Sequence, residues 1–213
     1  MTPSKGAIAL LSVGGAGATG AGIYVYEPFK SGETVRRLID KQELFTLLEG
    51  SDSKWESAWT NYKAKNKGKK KGEDSWRLSN WVGDSTVLGN SFKEECSKRL
   101  SLRVRSSEDS SFLEFQNLCM RKTTVNDKLT KEGYEFLGME DTNKTTWESN
   151  FQAYKQASTK DKVEGIEIAS GEVHTTTDHL TKFKTACQAA ISKAIDEVSY
   201  ANTKRWCSKL KNA

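Results

Sequence analysis

The sequence predicts an all-α fold: an N-terminal transmembrane or signal helix followed by two tandem, duplicated small helical-bundle modules. Three observations lead to this prediction. An uncharged stretch lies near the N-terminus, the rest of the chain matches itself at a nearly constant offset, and both prolines, Pro3 and Pro28, precede the matching part. Proline breaks helices, so nothing of that kind interrupts them in the repeated part. We therefore assign residues 1–30 to a signal anchor or transmembrane segment with its linker, 31–122 to module 1 and 123–213 to module 2.

The first element is the stretch of residues 6–26, which carries no charge and is bracketed by Lys5 and Glu27. As a helix it is about 31 Å long, close to the hydrocarbon thickness of a bilayer. We expect an uncleaved signal anchor with a single pass, which makes the membrane a partner of this segment. The alternative is a cleaved signal peptide, which makes the protein secreted. A glycine-rich nucleotide loop is disfavoured because no predicted strand precedes the glycines.

An internal repeat is the strongest signal in the chain. Residues 55–63 and 147–155 share the pattern W-E-S-x-aromatic-x-x-Y-K at an offset of 92. Three further correspondences follow the same order at offsets of 88 to 92: a T-V pair, an F-K-x-x-C motif, and a serine-aromatic pair seven residues before a cysteine. Self-similarity at a fixed period is the signature of a duplicated structural unit. Each module then has about 90 residues.

Each module is predicted to contain four helices. The first lies near residues 33–43 or 123–132, the second carries the aromatic pattern, the third surrounds Cys96 or Cys187, and the fourth ends near Cys119 or Cys207. The aromatic residues recur at i, i+4 and i+7, which places them on one helical face. Such a stripe is typical of core packing, with a ligand-binding or base-stacking surface as the alternative.

Short extended segments are predicted beside these helices. The apolar runs at residues 44–48 and 134–137 favour extended chain. Residues 76–78 and 166–168 fit either short strands or ordered loop, and the sequence does not separate the two.

The four cysteines fall two to a module and are disulfide candidates: Cys96, Cys119, Cys187 and Cys207. No C-x-x-C motif occurs, so a zinc ribbon or a thioredoxin-type site is poorly supported. We favour the pairs Cys96–Cys119 and Cys187–Cys207, because the repeat preserves each pair as a unit. Disulfides persist outside the reducing cytosol, which agrees with a membrane anchor and an extracellular body. Four buried free thiols in a reducing compartment are the alternative.

The charge of the chain is concentrated in one run. The net charge is +5, from 33 Lys and Arg against 28 Asp and Glu. Six lysines lie within nine residues: Lys63, Lys65, Lys67, Lys69, Lys70 and Lys71. Without them, 27 basic residues remain against 28 acidic ones, so a nucleic-acid-binding face across the whole fold is disfavoured. The run fits a solvated loop or a patch for a polyanion such as a glycosaminoglycan, a nucleic acid or anionic lipid.

No pattern in the chain indicates catalysis, and we predict a non-enzymatic protein without a metal, a cofactor or a small-molecule substrate. His174 and His179 are five residues apart, which is off the i, i+4 spacing of a helical metal pair. They fit the solvated start of a helix. Serine, threonine and acidic residues are abundant, but no base is positioned to activate one of them.

The Gly/Ala-rich N-terminal span, the W-x-x-x-aromatic-x-x-Y-K helix and the terminal Lys204-Arg205-Trp206-Cys207 resemble the paralogous families of uncharacterised membrane-anchored or surface proteins of haemotropic mycoplasmas. The resemblance implies surface exposure, antigenic variation and contact with a host-surface protein. It supplies no catalytic residues. We therefore expect a membrane-anchored interaction or antigenic module with its body outside the cell, and an exported polyanion-binding protein acting through the lysine run as the alternative.

Overall fold

Two clusters of buried side chains organise the part of the chain that the computed structural model describes, namely residues 32–83, 88–169 and 171–211. The first cluster takes its residues from Val35 to Met120, and the second from Val125 to Cys207. The aromatic stripe of each module is buried in its own cluster, as the core interpretation predicts.

The first half contains four helices and four short strands within its described residues. They are β1 (Glu33–Thr34), α1 (Val35–Asp40), β2 (Phe45–Leu47), α2 (Lys54–Lys65), α3 (Asn90–Arg99), β3 (Arg103–Val104), α4 (Ser110–Cys119) and β4 (Met120–Lys122). The side chain of Thr34 caps α1 by accepting the N–H of Arg37. Helix α2 begins after Ser53, where Asp52 accepts the N–H of Lys54 at 2.9 Å.

The second half has a similar order of elements. They are α5 (Val125–Lys131), β5 (Tyr134–Phe136), a 3-10 turn (Asp141–Asn143), α6 (Lys144–Gln156), a second 3-10 turn (Thr159–Asp161), α7 (Thr177–Ser192), α8 (Tyr200–Cys207) and β6 (Ser208–Leu210). Thr124 and Asp127 form a capping box at the start of α5, which satisfies two helix N-terminal donors at once. Gly133, with φ of +79°, follows α5 in the left-handed conformation that ends many helices.

The fold is predominantly helical, as predicted, but short strands accompany the helices and the all-α assignment was incomplete. Among the described residues these strands form three antiparallel pairs: β1 with β3, β2 with β4, and β5 with β6. Leu47 lies opposite Met120, and Phe136 lies opposite Ser208. The predicted extended runs are therefore strands, each paired with the chain that leaves the last helix of its half. Residues 76–78 and 166–168, by contrast, are ordered loop.

The junction between the halves is hydrogen-bonded on both sides. The N–H of Thr123 donates to the carbonyl of Leu44 in the first half, and its carbonyl accepts the N–H of Ile195 in the second, both at 2.9 Å. Thr123, which follows the predicted boundary at 122/123, is therefore hydrogen-bonded to residues on both sides of it.

The predicted membrane segment, residues 6–26, lies outside the described residues. Within the described part of the chain, no helix is both long and apolar enough to cross a membrane.

Candidate functional site

Both disulfides join the last two helices of a half. Cys96 on α3 is bonded to Cys119 at the end of α4, and Cys187 on α7 to Cys207 at the end of α8, with Cα separations of 5.7 and 5.4 Å. This is the pairing that the repeat favours. All four cysteines of the chain are used, so the chain contains no free thiol.

The lysine loop, defined as residues 63–71, begins in the last turn of α2. Tyr62, the residue before it, belongs to a buried cluster of hydrogen-bonded polar groups. The hydroxyl of Tyr62 donates to the Asp74 carboxylate at 2.5 Å and accepts the N–H of Trp76 at 3.0 Å. The same carboxylate oxygen accepts the N–H of Leu78 at 2.8 Å. Burial, with the Asp74 hydrogen bond, raises the pKa of Tyr62 far above its usual value, so the phenol keeps its proton and remains a donor.

Asn66 holds the loop to the segment that follows it. Its side-chain carbonyl accepts the N–H of Ser75 at 2.7 Å, and its amide donates to the Tyr62 carbonyl at 3.0 Å. The indole of Trp81 donates to the carbonyl of Lys69 at 2.9 Å. Asn66 and Asp74 are only 3% and 2% exposed, so their own side chains are shielded from water. Together with Tyr62, they form a frame that fixes the loop backbone at several points.

Two glycines make the turns of this segment possible. Gly68 and Gly72 have φ values of +78° and +82°, in the left-handed region that residues with a side chain rarely adopt. The N–H of Lys70 then donates to the Glu73 carboxylate at 3.0 Å. The loop is therefore a defined pair of turns within the described residues.

The six lysines divide into two that have structural contacts and four that do not. Lys63 lies over the ring of Trp59, with 5.7 Å between its ammonium and the ring centroid, and Lys65 forms an ion pair with Glu114 of α4. The other four are exposed, and no carboxylate of the described residues lies within ion-pair distance of their ammonium groups: Lys67, Lys69, Lys70 and Lys71. Their positive charge is therefore available to a partner.

The corresponding loop of the second half is built on another tyrosine but is not a basic surface. The hydroxyl of Tyr154 accepts the N–H of Val163 at 3.1 Å and donates to the carbonyl of Ile166 at 2.7 Å. Lys155 donates to the Glu172 carbonyl at 2.8 Å, and Lys162 lies over the ring of Tyr154, 5.4 Å from its centroid. A cluster of unpaired lysines is thus a property of the first half.

A guanidinium that the sequence did not single out connects the two halves. Arg121 donates to Asp52 at 2.6 Å and, through two nitrogens, to Asp127 at 2.5 and 2.9 Å. The pKa of Arg121 is raised. The hydrogen bond to Asp127 raises it most, and burial, the next largest influence, lowers it. Burial raises the pKa of Asp127, but hydrogen bonds from Arg121 and Thr124 outweigh it and leave that pKa below its usual value.

A cleft of about 710 Å³ opens beside this contact, between the α1–β2 segment and α5. Lys128 crosses it with an ion pair to Glu43 at 2.8 Å. Ile39, Phe45 and Leu47 contribute apolar surface, and the rest of the lining consists of neutral polar residues and residues of both charges. The lining contains neither a histidine nor a cysteine.

The two histidines lie at the N-terminal end of α7, as the sequence suggests. Nδ1 of His179 accepts the N–H of Val173 at 3.1 Å, and a ring nitrogen of His174 lies 2.6 Å from the Gln152 amide. Across the described residues, no group of three or more His, Cys, Asp or Glu side chains is arranged to hold a metal.

No protein-family model matches the chain, and no curated protein or solved structure is significantly similar to it.

Proposed function

We propose that the chain is a non-enzymatic, exported protein whose disulfide-bonded body is displayed outside the cell as an interaction or antigenic module. The observation that carries the proposal is the use of all four cysteines in two disulfides. Structural disulfides are common in extracellular proteins and rare in the cytosol, where thiols are kept reduced. In this proposal residues 6–26 anchor the protein by a single pass, or are removed to release it.

We further propose that the two halves are copies of one ancestral module. Repeated contacts support this idea. Phe92 and Phe183 each pack against the aromatic helix of their own half. Lys93, which follows the first of these, donates to the carbonyl of Gly50 at 3.1 Å, and Lys184, which follows the second, donates to a carbonyl at 3.3 Å. A duplicated scaffold with different loops is a simple way to present variable surface, in keeping with the resemblance to mycoplasma surface families.

Protease shaving of intact cells that make the protein tests the proposed location. The exposed lysines of both halves offer trypsin sites, so we expect peptides from residues 32–211 in the supernatant while the cells remain intact. A cytosolic enzyme, followed in the same samples, is the control for lysis. Recovery of the body only after the cells are broken would contradict surface display.

A second candidate function is polyanion binding through the lysine loop. The observation that favours it is the set of four exposed lysines without acidic partners among the described residues, on a backbone fixed by Asn66 and Tyr62. Replacing all six lysines of the run by glutamine is expected to abolish retention on an anionic resin. Retention that survives the replacement would eliminate this candidate.

A further inference from the structure

We infer that the lysine loop is a preformed site for a linear sulfated polysaccharide. The inference rests on the proposed export, because such polymers are extracellular, and it gives the polyanion candidate a specific ligand. It depends on three features of the loop: its fixed backbone, the spacing of its unpaired charges, and the kinds of side chain that it lacks.

The backbone of the loop is ordered by buried and part-buried hydrogen bonds within the protein itself. The carboxylate of Asp74 accepts the N–H of Leu78, and the side-chain carbonyl of Asn66 accepts the N–H of Ser75. The indole of Trp81 donates to the carbonyl of Lys69. A ligand therefore does not have to order this segment when it binds. Since ordering a flexible loop costs binding free energy, a preformed loop binds more tightly than a mobile one with the same charges.

The unpaired lysines lie close together in the chain. All four come from five consecutive residues, 67–71, which span at most about 17 Å of chain. The backbone positions of successive lysines are thus closer than a Debye length of about 8 to 10 Å, so their charges act on an anion together. Glu73 is the acidic residue closest in sequence, and its carboxylate accepts a backbone N–H from Lys70. A small anion can pair with only some of these four lysines, whereas a polymer with repeated charges can pair with all of them.

The surroundings of the loop favour a polysaccharide over a single-stranded nucleic acid or a lipid surface. Every cation in residues 63–71 is lysine, a point charge that attracts sulfate and phosphate alike. The nearby aromatic rings of Trp76 and Trp81 are only 5% and 2% exposed, so they offer no platform for stacked bases. The loop also has no large apolar side chain to insert into a lipid surface.

Binding of heparin, as the sulfated probe, to the full chain tests the inference by comparing two variants of equal charge. The loop variant carries K67Q, K69Q, K70Q and K71Q. The control variant carries K144Q, K160Q, K193Q and K211Q, four exposed lysines of the second half. Both lower the net charge of +5 by four. All eight side chains are exposed, so we expect neither set of changes to disturb the fold. Matching thermal unfolding curves of the wild type and both variants check this.

We expect the wild type and the control variant to bind heparin, with affinity falling on the order of 100-fold between 50 and 200 mM salt, as four released counterions predict. The loop variant is expected to lose most of this binding and of its salt dependence. Equal binding by the two variants would overturn the inference. Tighter binding of the wild type to a DNA oligonucleotide, or to phosphatidylserine vesicles, than to heparin would overturn the choice of ligand. A failure of this heparin test would leave the proposed surface display standing, since protease shaving tests surface display separately.

Discussion

Phe92 in module 1 and Phe183 in module 2 meet the aromatic helix of their own module in the same way. Each ring contacts three successive ring positions of that helix, at centroid distances of 5.2–6.1 Å in module 1 and 5.1–5.7 Å in module 2. The modules diverge just beyond this contact. Tyr62 is bonded to a buried carboxylate, whereas Tyr154 is bonded to backbone carbonyls.

The cores also satisfy their indole groups differently. In module 2 the indole N–H of Trp147 donates to the Gly138 carbonyl at 2.9 Å, and that of Trp206 to a carbonyl at 2.7 Å. In module 1 three buried indole nitrogens have no hydrogen-bond partner among the described residues: those of Trp55, Trp59 and Trp76. The two modules therefore share their helix packing, while the lysine loop and the polar side chains that support it are specific to module 1.

The largest expected effect concerns the aromatic packing that the two modules share. Phe92→Ala and Phe183→Ala each remove a ring that is 0% or 2% exposed and leave a cavity, so each is expected to lower the free energy of unfolding by about 3–5 kcal/mol. Urea unfolding followed by tryptophan fluorescence measures this. Leu113→Ala, at a 49% exposed position, is the control and should cost far less. A cost below about 1 kcal/mol at only one of the two phenylalanines would break the equivalence of the cores.

Removal of one disulfide at a time is the next test. The bonds span 23 and 20 residues, so the chain-entropy model predicts a loss of about 3 kcal/mol for C96S/C119S and nearly the same for C187S/C207S. Denaturant titration of both double variants provides the measurement. The matched control is wild type in excess reductant, which should lose more than either variant. A loss confined to one variant would show that the disulfides do not support the two modules alike.

Removing the tyrosine hydroxyls is expected to destabilise the two modules by different amounts. Tyr62→Phe leaves the buried Asp74 carboxylate without its phenol donor, and its other oxygen already has no partner among the described residues. The carboxylate then keeps only the N–H of Leu78 as a donor. We expect a loss of about 3 kcal/mol, against about 1–2 kcal/mol for Tyr154→Phe, because a hydrogen bond to a buried carboxylate is worth more than one to a carbonyl. Thermal unfolding of both variants measures the difference. Adding Asp74→Asn to Tyr62→Phe should cost less than the sum of the single changes, and strict additivity would count against the proposed coupling.

The smallest expected effect concerns the contact between modules. Arg121→Met is expected to cost about 1–2 kcal/mol at pH 7, because it removes charge-assisted bonds to two part-buried carboxylates. Since the pKa of folded Asp127 lies below its unfolded value of about 3.9, the stabilisation is present above that pH and is lost as the pH falls through the folded value. The free energy of unfolding of Arg121→Met should therefore differ from that of the wild type more at pH 7 than at about pH 2. Arg36→Met, an exposed control, should show little effect at either pH, and a pH-independent cost of Arg121→Met would contradict this origin.

Much of the scaffold was predictable because it depends on local periodicity that occurs twice. The stripe of Trp55, Trp59 and Tyr62 indicates a buried helical face, and the same spacing recurs at residues 147, 151 and 154. The same repetition identified the cysteine pairs. Residues 76–78 stayed undecided, because alternation of Trp76 and Leu78 is equally typical of a strand and of a loop with two buried side chains.

The polar contacts were not predictable, because they join residues that no period relates. Arg121 and Asp52 are 69 residues apart, and nothing in the spacing of charges marks them as partners. Asp74 reads as one acid among many after a lysine run, and only the fold places it under Tyr62. Sequence indicated where the positive charge lies, while the structure was needed to show that the loop carrying it is held in place.

Non-reducing peptide mapping of the protein, alkylated as its cells are opened, shows whether the four cysteines are paired within each module and oxidised in the cell. The prediction is one linked pair in each module, Cys96 with Cys119 and Cys187 with Cys207, and no alkylated cysteine. That result places both modules in an oxidising compartment and shows each to be closed on itself. Four alkylated thiols would contradict export, and a bond between Cys96 and either cysteine of module 2 would contradict the division into two equivalent modules.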